Sequence, residues 1–64
     1  MAQVKKAQVR EAILHSANEL FTERDYSSTT LADIARHAGV TMSNIYNYFD
    51  SKLEILFAVY EPWL

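Results

Sequence analysis

The chain has 64 residues, half of them hydrophobic, with one Gly, one Pro and no Cys. That composition excludes a disordered chain, a disulfide framework and a thiolate metal site, and the length allows one domain near the lower limit of an unaided hydrophobic core. Six Lys and Arg against eight Asp and Glu leave a net charge of −2, so the chain lacks the overall positive field of many nucleic-acid binders.

In the first segment Val9, Ile13, Ala17, Leu20 and Phe21 recur at spacings of three or four, with Leu14 widening the stripe. The pattern predicts an amphipathic helix from Lys5 to Arg24, with Lys6, Arg10, Glu11, Asn18, Glu19 and Glu23 on other faces. Asp25 to Ser28 reads as a turn. The second helix is predicted from Leu31 to Ala38, because Leu31, Ile34, Ala35 and Ala38 follow an i, i+3, i+4, i+7 pattern. Thr30 and Asp33 form a capping box at its start. Gly39 stops it, since a residue just past a helix is commonly left-handed. A third helix, Met42 to Phe49, takes Thr41 as N-cap. Ile45 and Phe49 give it a narrow apolar edge.

Ser51 and Glu54 cap a fourth helix, Lys52 to Glu61, which Pro62 ends or kinks. It carries two apolar stripes, Leu53, Leu56, Phe57 and Tyr60 on one side and Ile55, Val59 and Trp63 on another. A helix that is apolar most of the way round is buried from more than one direction. The expectation is therefore that the natural protein continues beyond Leu64, with Ile55, Val59 and Trp63 as the exposed joint.

The second and third helices meet the requirements of a helix-turn-helix. Ala35 is small where the helices approach closely. Gly39 follows four residues later, in the turn. Val40 can plug the space beneath that turn, while Ile34, Ala38 and Ile45 close a small core. A β-branched residue at position 39 is expected to resist positive φ and to crowd Ala35. An ordinary helical hairpin with a glycine turn would satisfy the same pattern. The two readings part at the surface of the third helix, where Met42, Ser43, Asn44, Tyr46, Asn47 and Tyr48 include no formal charge. A merely solvated face usually carries Lys and Glu at salt-bridging spacing. Amides, hydroxyls and phenols instead suit base edges and phosphate oxygens.

Taken together, Leu20-Phe21, Tyr26, Thr29 to Leu31, Asp33 to Ala35, Ala38 to Thr41, Ile45-Tyr46, Tyr48-Phe49 and Ser51-Lys52 resemble the N-terminal domain of TetR (TetR/AcrR) transcriptional regulators. The likeness runs from about Arg10 to Leu56. It implies an all-α, homeodomain-like small helical bundle with a helix-turn-helix, plus the start of a fourth connecting helix. Residues 1–50 would be the DNA-binding domain, with the motif at about 30–49. Residues 51–64 would lead to a C-terminal ligand-binding and dimerisation domain absent from this chain. The resemblance further implies that Thr30 and Thr41 touch phosphates and that Met42, Ser43 and Asn44 lie nearest the bases. Tyr46 would lie against backbone and base edges, and Asn47, Tyr48 and Lys52 would hold phosphates. Asp25 stands where the family usually has Gly, Ser43 replaces a common Gly, and Met42 replaces a frequent Lys or Arg.

What the resemblance implies about partners is double-stranded DNA read in the major groove, a homodimer formed by the missing domain, and a small-molecule inducer bound outside residues 1–64. A repressor acting on a pseudo-palindromic operator is the expected activity. No cofactor and no metal are expected, because His15 and His37 lie too far apart for a local metal motif. Met1 to Lys6 has no apolar core behind it and no uncharged stretch spans a bilayer, so a cytoplasmic protein without membrane contact is expected. His15 and His37 read as helix-surface residues. Lys5 and Lys6 read as a tail or a basic arm, and Tyr46 and Tyr48 could also be half-buried packing residues. The competing reading is a helical protein-interaction module using the apolar fourth helix. An enzyme finds no support, since no nucleophile is paired with a base.

Overall fold

The computed structural model describes residues 6–60. They form four helices: α1 (Lys6–Glu23), α2 (Leu31–Ala38), α3 (Met42–Tyr48) and α4 (Lys52–Tyr60). No strand occurs among the described residues, and the predicted helix limits hold to within one residue wherever they fall on described residues. Lys5, Glu61, Pro62 and Trp63 lie outside them. Among the described residues no helix is long and apolar enough to cross a membrane.

The predicted stripe of α1, from Val9 to Phe21, is buried. This long helix packs against each of the other three, and α2 packs on α3. Each helix sends one isoleucine into the shared core, Ile13, Ile34, Ile45 and Ile55, all at 0% exposure. Burying a side chain of that size contributes on the order of 2–3 kcal/mol. Ala35 and Phe49 complete the seat of α3 in the same cluster.

Local hydrogen bonds set the helix ends. The Thr30 hydroxyl accepts the Asp33 N–H at 3.0 Å, and the Asp33 carboxylate accepts the Thr30 N–H at 3.0 Å, which closes the capping box. At the other end of α2, Gly39 is left-handed with φ 75 and ψ 30. Its N–H reaches the Arg36 carbonyl at 3.3 Å, and the Val40 N–H reaches the Ala35 carbonyl at 3.0 Å, the two bonds of a Schellman motif. A Cβ at Gly39 would meet nothing within 4 Å. The expected crowding of Ala35 is therefore wrong, and the positive φ alone selects glycine. Thr41 caps α3 by accepting the Asn44 N–H at 3.1 Å. Ser51 accepts the Glu54 N–H at 3.2 Å, while the Glu54 carboxylate reaches back to the Asp50 N–H at 2.9 Å, one residue earlier than a standard box.

Ile55 and Val59, expected on the exposed face of α4, turn inward, while Leu56 of the other stripe is partly buried too. Ile55 is fully buried, and Leu56, Ala58 and Val59 are partly buried against the core; the exposed residues are Leu53 (47%), Phe57 (64%) and Tyr60 (49%). The two stripes are equally apolar, so periodicity detected both but could not choose the inward one. The choice belongs to α1, against which α4 lies.

Candidate nucleic-acid interface

With Ile45 buried between α2 and α1, most of the remaining residues of α3 lie at the surface. Met42, Ser43, Tyr46 and Asn47 are exposed, Tyr46 at 54%, and Asn44 and Tyr48 are half-buried. Tyr48 also packs against the core, so the packing role open to it in the sequence is real, whereas Tyr46 points away. The side chains of Ser43, Asn44, Tyr46 and Asn47 make no hydrogen bond to another described residue. Thr41 stands at the head of this surface. Thr30 heads α2, and both threonine oxygens already serve as caps.

The charged groups behave differently. Asp33 takes Arg24 at 3.0 Å and Arg36 at 2.6 Å in addition to the cap. The backbone N–H of Thr30, then its hydroxyl, then the two guanidinium groups hold the Asp33 carboxyl below its ordinary 3.8. A depressed carboxyl pKa stabilises above the ordinary value and loses that contribution as pH falls through the folded value, so this cap is complete at neutral pH. Asp25 is lowered in the same way, chiefly by the backbone N–H of Ser28, which its carboxylate accepts at 2.8 Å. That bond helps hold Asp25 at φ 132, a conformation that L residues other than glycine seldom adopt.

Several placements were not readable from the sequence. His37 is not merely solvated: its Nδ1 lies 3.1 Å from the hydroxyl of Ser16, and its Nε2 lies 3.5 Å from Glu19. Ser16 is itself buried within the α1 stripe. His15 pairs with Glu19 at 3.4 Å on the exposed side. Thr29 is fully buried, and its hydroxyl donates to the Asp25 carbonyl at 2.8 Å. Lys52, expected at a phosphate, donates within the domain to the carbonyls of Tyr26 at 2.8 Å and Thr29 at 2.9 Å. Arg10 rests over the Phe49 ring, 5.6 Å from its centre. A small polar residue inside an apolar stripe was the available sign for Ser16; nothing local marked Lys52.

Two short helices joined by a left-handed glycine, with an uncharged polar face on the second, define a helix-turn-helix domain of the DNA-binding class. The family model for bacterial regulatory proteins of the tetR family matches residues 13–59, and the chain belongs to that family. The HTH-type transcriptional repressor BepR of Brucella suis biovar 1 is 49% identical over 49 residues, which are 77% of this chain and 23% of BepR. The HTH-type transcriptional regulator AlkX of Mycobacterium tuberculosis is 39% identical over 51 residues, 80% of this chain and 24% of AlkX. The biofilm operon icaADBC HTH-type negative transcriptional regulator IcaR of Staphylococcus aureus is 38% identical over 47 residues, 73% of this chain and 25% of IcaR. These relatives are transcriptional regulators rather than enzymes, and the chain spans about a quarter of their length. No solved structure gives a significant match.

Proposed function

We propose that this domain reads double-stranded DNA by laying α3 in the major groove, as one of two heads of a homodimeric repressor. The observation that carries the reading is the set of side chains on α3 that have no partner among the described residues. Ser43, Asn44, Tyr46 and Asn47 offer donors and acceptors that no described residue uses. Asn can pair bidentately with adenine, and Met42 or a tyrosine ring can contact a thymine methyl. Met42, Ser43 and Asn44 lie nearest the bases in this arrangement. Thr30, Thr41, Tyr46, Asn47 and Tyr48 set the register on phosphates and groove edges.

Few cations support the interface, and Arg24 and Arg36 are already paired with Asp33. One short helix with a shallow electrostatic term discriminates poorly. Two heads on consecutive major-groove faces, roughly 34–36 Å apart, would supply the missing affinity and call for a pseudo-palindromic operator. The exposed face of α4, Leu53, Phe57 and Tyr60, serves as the joint to a further region that dimerises and binds a small-molecule inducer. Repression is favoured by the names of BepR and IcaR. Such a protein acts in the cytoplasm, on DNA.

Selection from a pool of random duplexes by the full-length protein tests this reading. It is expected to return an inverted repeat with half-sites about one helical turn apart. Recovery of no preferred sequence would contradict it.

A further inference from the structure

Lys52 stands where a cation gains nothing from its own helix. It is the first residue of α4, at the positive end of the helix dipole, where Lys and Arg are disfavoured. The compensation comes from 23 and 26 residues away. Its ammonium donates to the carbonyls of Thr29 at 2.9 Å and Tyr26 at 2.8 Å, and it lies 4.1 Å from the centre of the Tyr26 ring. The side chain is half-buried. Two carbonyls and a ring face satisfy most of what one ammonium can offer.

The place of those carbonyls matters more than their number. The Tyr26 carbonyl also accepts the Thr29 N–H at 3.2 Å, so Lys52 grips both ends of one turn. Thr29 is fully buried and directly precedes Thr30, the residue that caps α2. We infer that Lys52 is a positioning residue that ties the α1–α2 turn, and through it the entrance of α2, to the first turn of α4. It is not a phosphate ligand. A shift of α4 would then reach Thr30 without passing through α3. The consequence for DNA rests on the function proposed above; the tie itself does not.

Lys52→Met in the full-length protein separates the two roles. Hydrogen exchange of the Thr29 and Thr30 amides is expected to quicken about tenfold or more, since the bonds from a charged donor are removed. Amides of α3 should be unchanged. Affinity for the selected DNA site should fall about as much, while the slope of log affinity against log salt stays the same. Removal of a phosphate ligand would instead lower that slope by about one per head and leave the Thr29 and Thr30 amides as in the wild type; that pair of results overturns the inference. If Lys52→Met does not fold, Tyr26→Leu keeps the ammonium and both carbonyls and removes only the ring. It should quicken the same amides about two- to fivefold, and unchanged exchange there would also overturn the inference. Should the wild-type protein prefer no DNA sequence while these amides still respond, the proposed function fails and the tie stands.

Discussion

Helices α2 and α3 are neighbours in the chain and almost equal in length, eight and seven residues, yet they treat their surfaces in opposite ways. On α2 the charged and titratable groups have partners within the domain: Asp33 holds Arg36 and Arg24, and His37 meets Ser16 and Glu19. On α3 the side chains of Ser43, Asn44, Tyr46 and Asn47 are uncharged and make no hydrogen bond to a described residue. One helix is fastened to the domain by its polar atoms. The other is seated by Ile45, with Tyr48 packed beside it, and the side chains of Ser43, Asn44, Tyr46 and Asn47 bond to no described residue. The two helices thus differ in where the hydrogen bonds of their side chains go.

Removing the seat of α3 should have the largest effect on that contrast. Ile45 is fully buried, and Ile45→Ala is expected to cost about 2–5 kcal/mol of stability in thermal or urea unfolding. A loss below about 1 kcal/mol would mean that α3 is held by something other than its apolar edge. The joint between the two helices comes next. Gly39→Val forces a β-branched residue to the positive φ of the turn, at about 1–3 kcal/mol. Because a Cβ there has open space, Gly39→Asn should recover most of the loss, as asparagine tolerates the left-handed region. Equal damage from both variants would point to a steric cause after all. The caps give the smallest effects. Thr30→Ala and Thr41→Ala should each cost about 1 kcal/mol, with Thr30 the costlier because its capping box also orients Asp33 toward Arg24 and Arg36. The reverse order would remove Asp33 from its place as the anchor of α2.

The parts of this molecule that local chemistry decides were legible in the sequence. Thr30 with Asp33, Gly39 and Thr41 each fix a boundary through bonds to residues a few positions away, and α1 wears its buried stripe openly. What stayed hidden depends on packing across the fold. The inward face of α4 could not be chosen between two apolar stripes, and His37 found Ser16 only once α2 lay on α1. Lys52 found its carbonyls in a turn 23 to 26 residues earlier. The polar face of α3 was readable from residue type, but that the side chains of Ser43, Asn44, Tyr46 and Asn47 bond to no described residue became visible only in three dimensions.

Affinity for the selected DNA site, measured side by side with melting temperature, tests the account most directly. Two double variants of the full-length protein suffice. Asn44→Ala with Tyr46→Ala strips the reading face, and Arg36→Ala with His37→Ala strips the fastened one. At roughly 1–3 kcal/mol for each bidentate pairing with a base, the α3 pair should bind its site at least about tenfold more weakly while melting like the wild type. The α2 pair should melt lower and, once folded, bind with nearly full strength. Full-strength, sequence-specific binding by the α3 pair would contradict the claim that α3 reads the DNA.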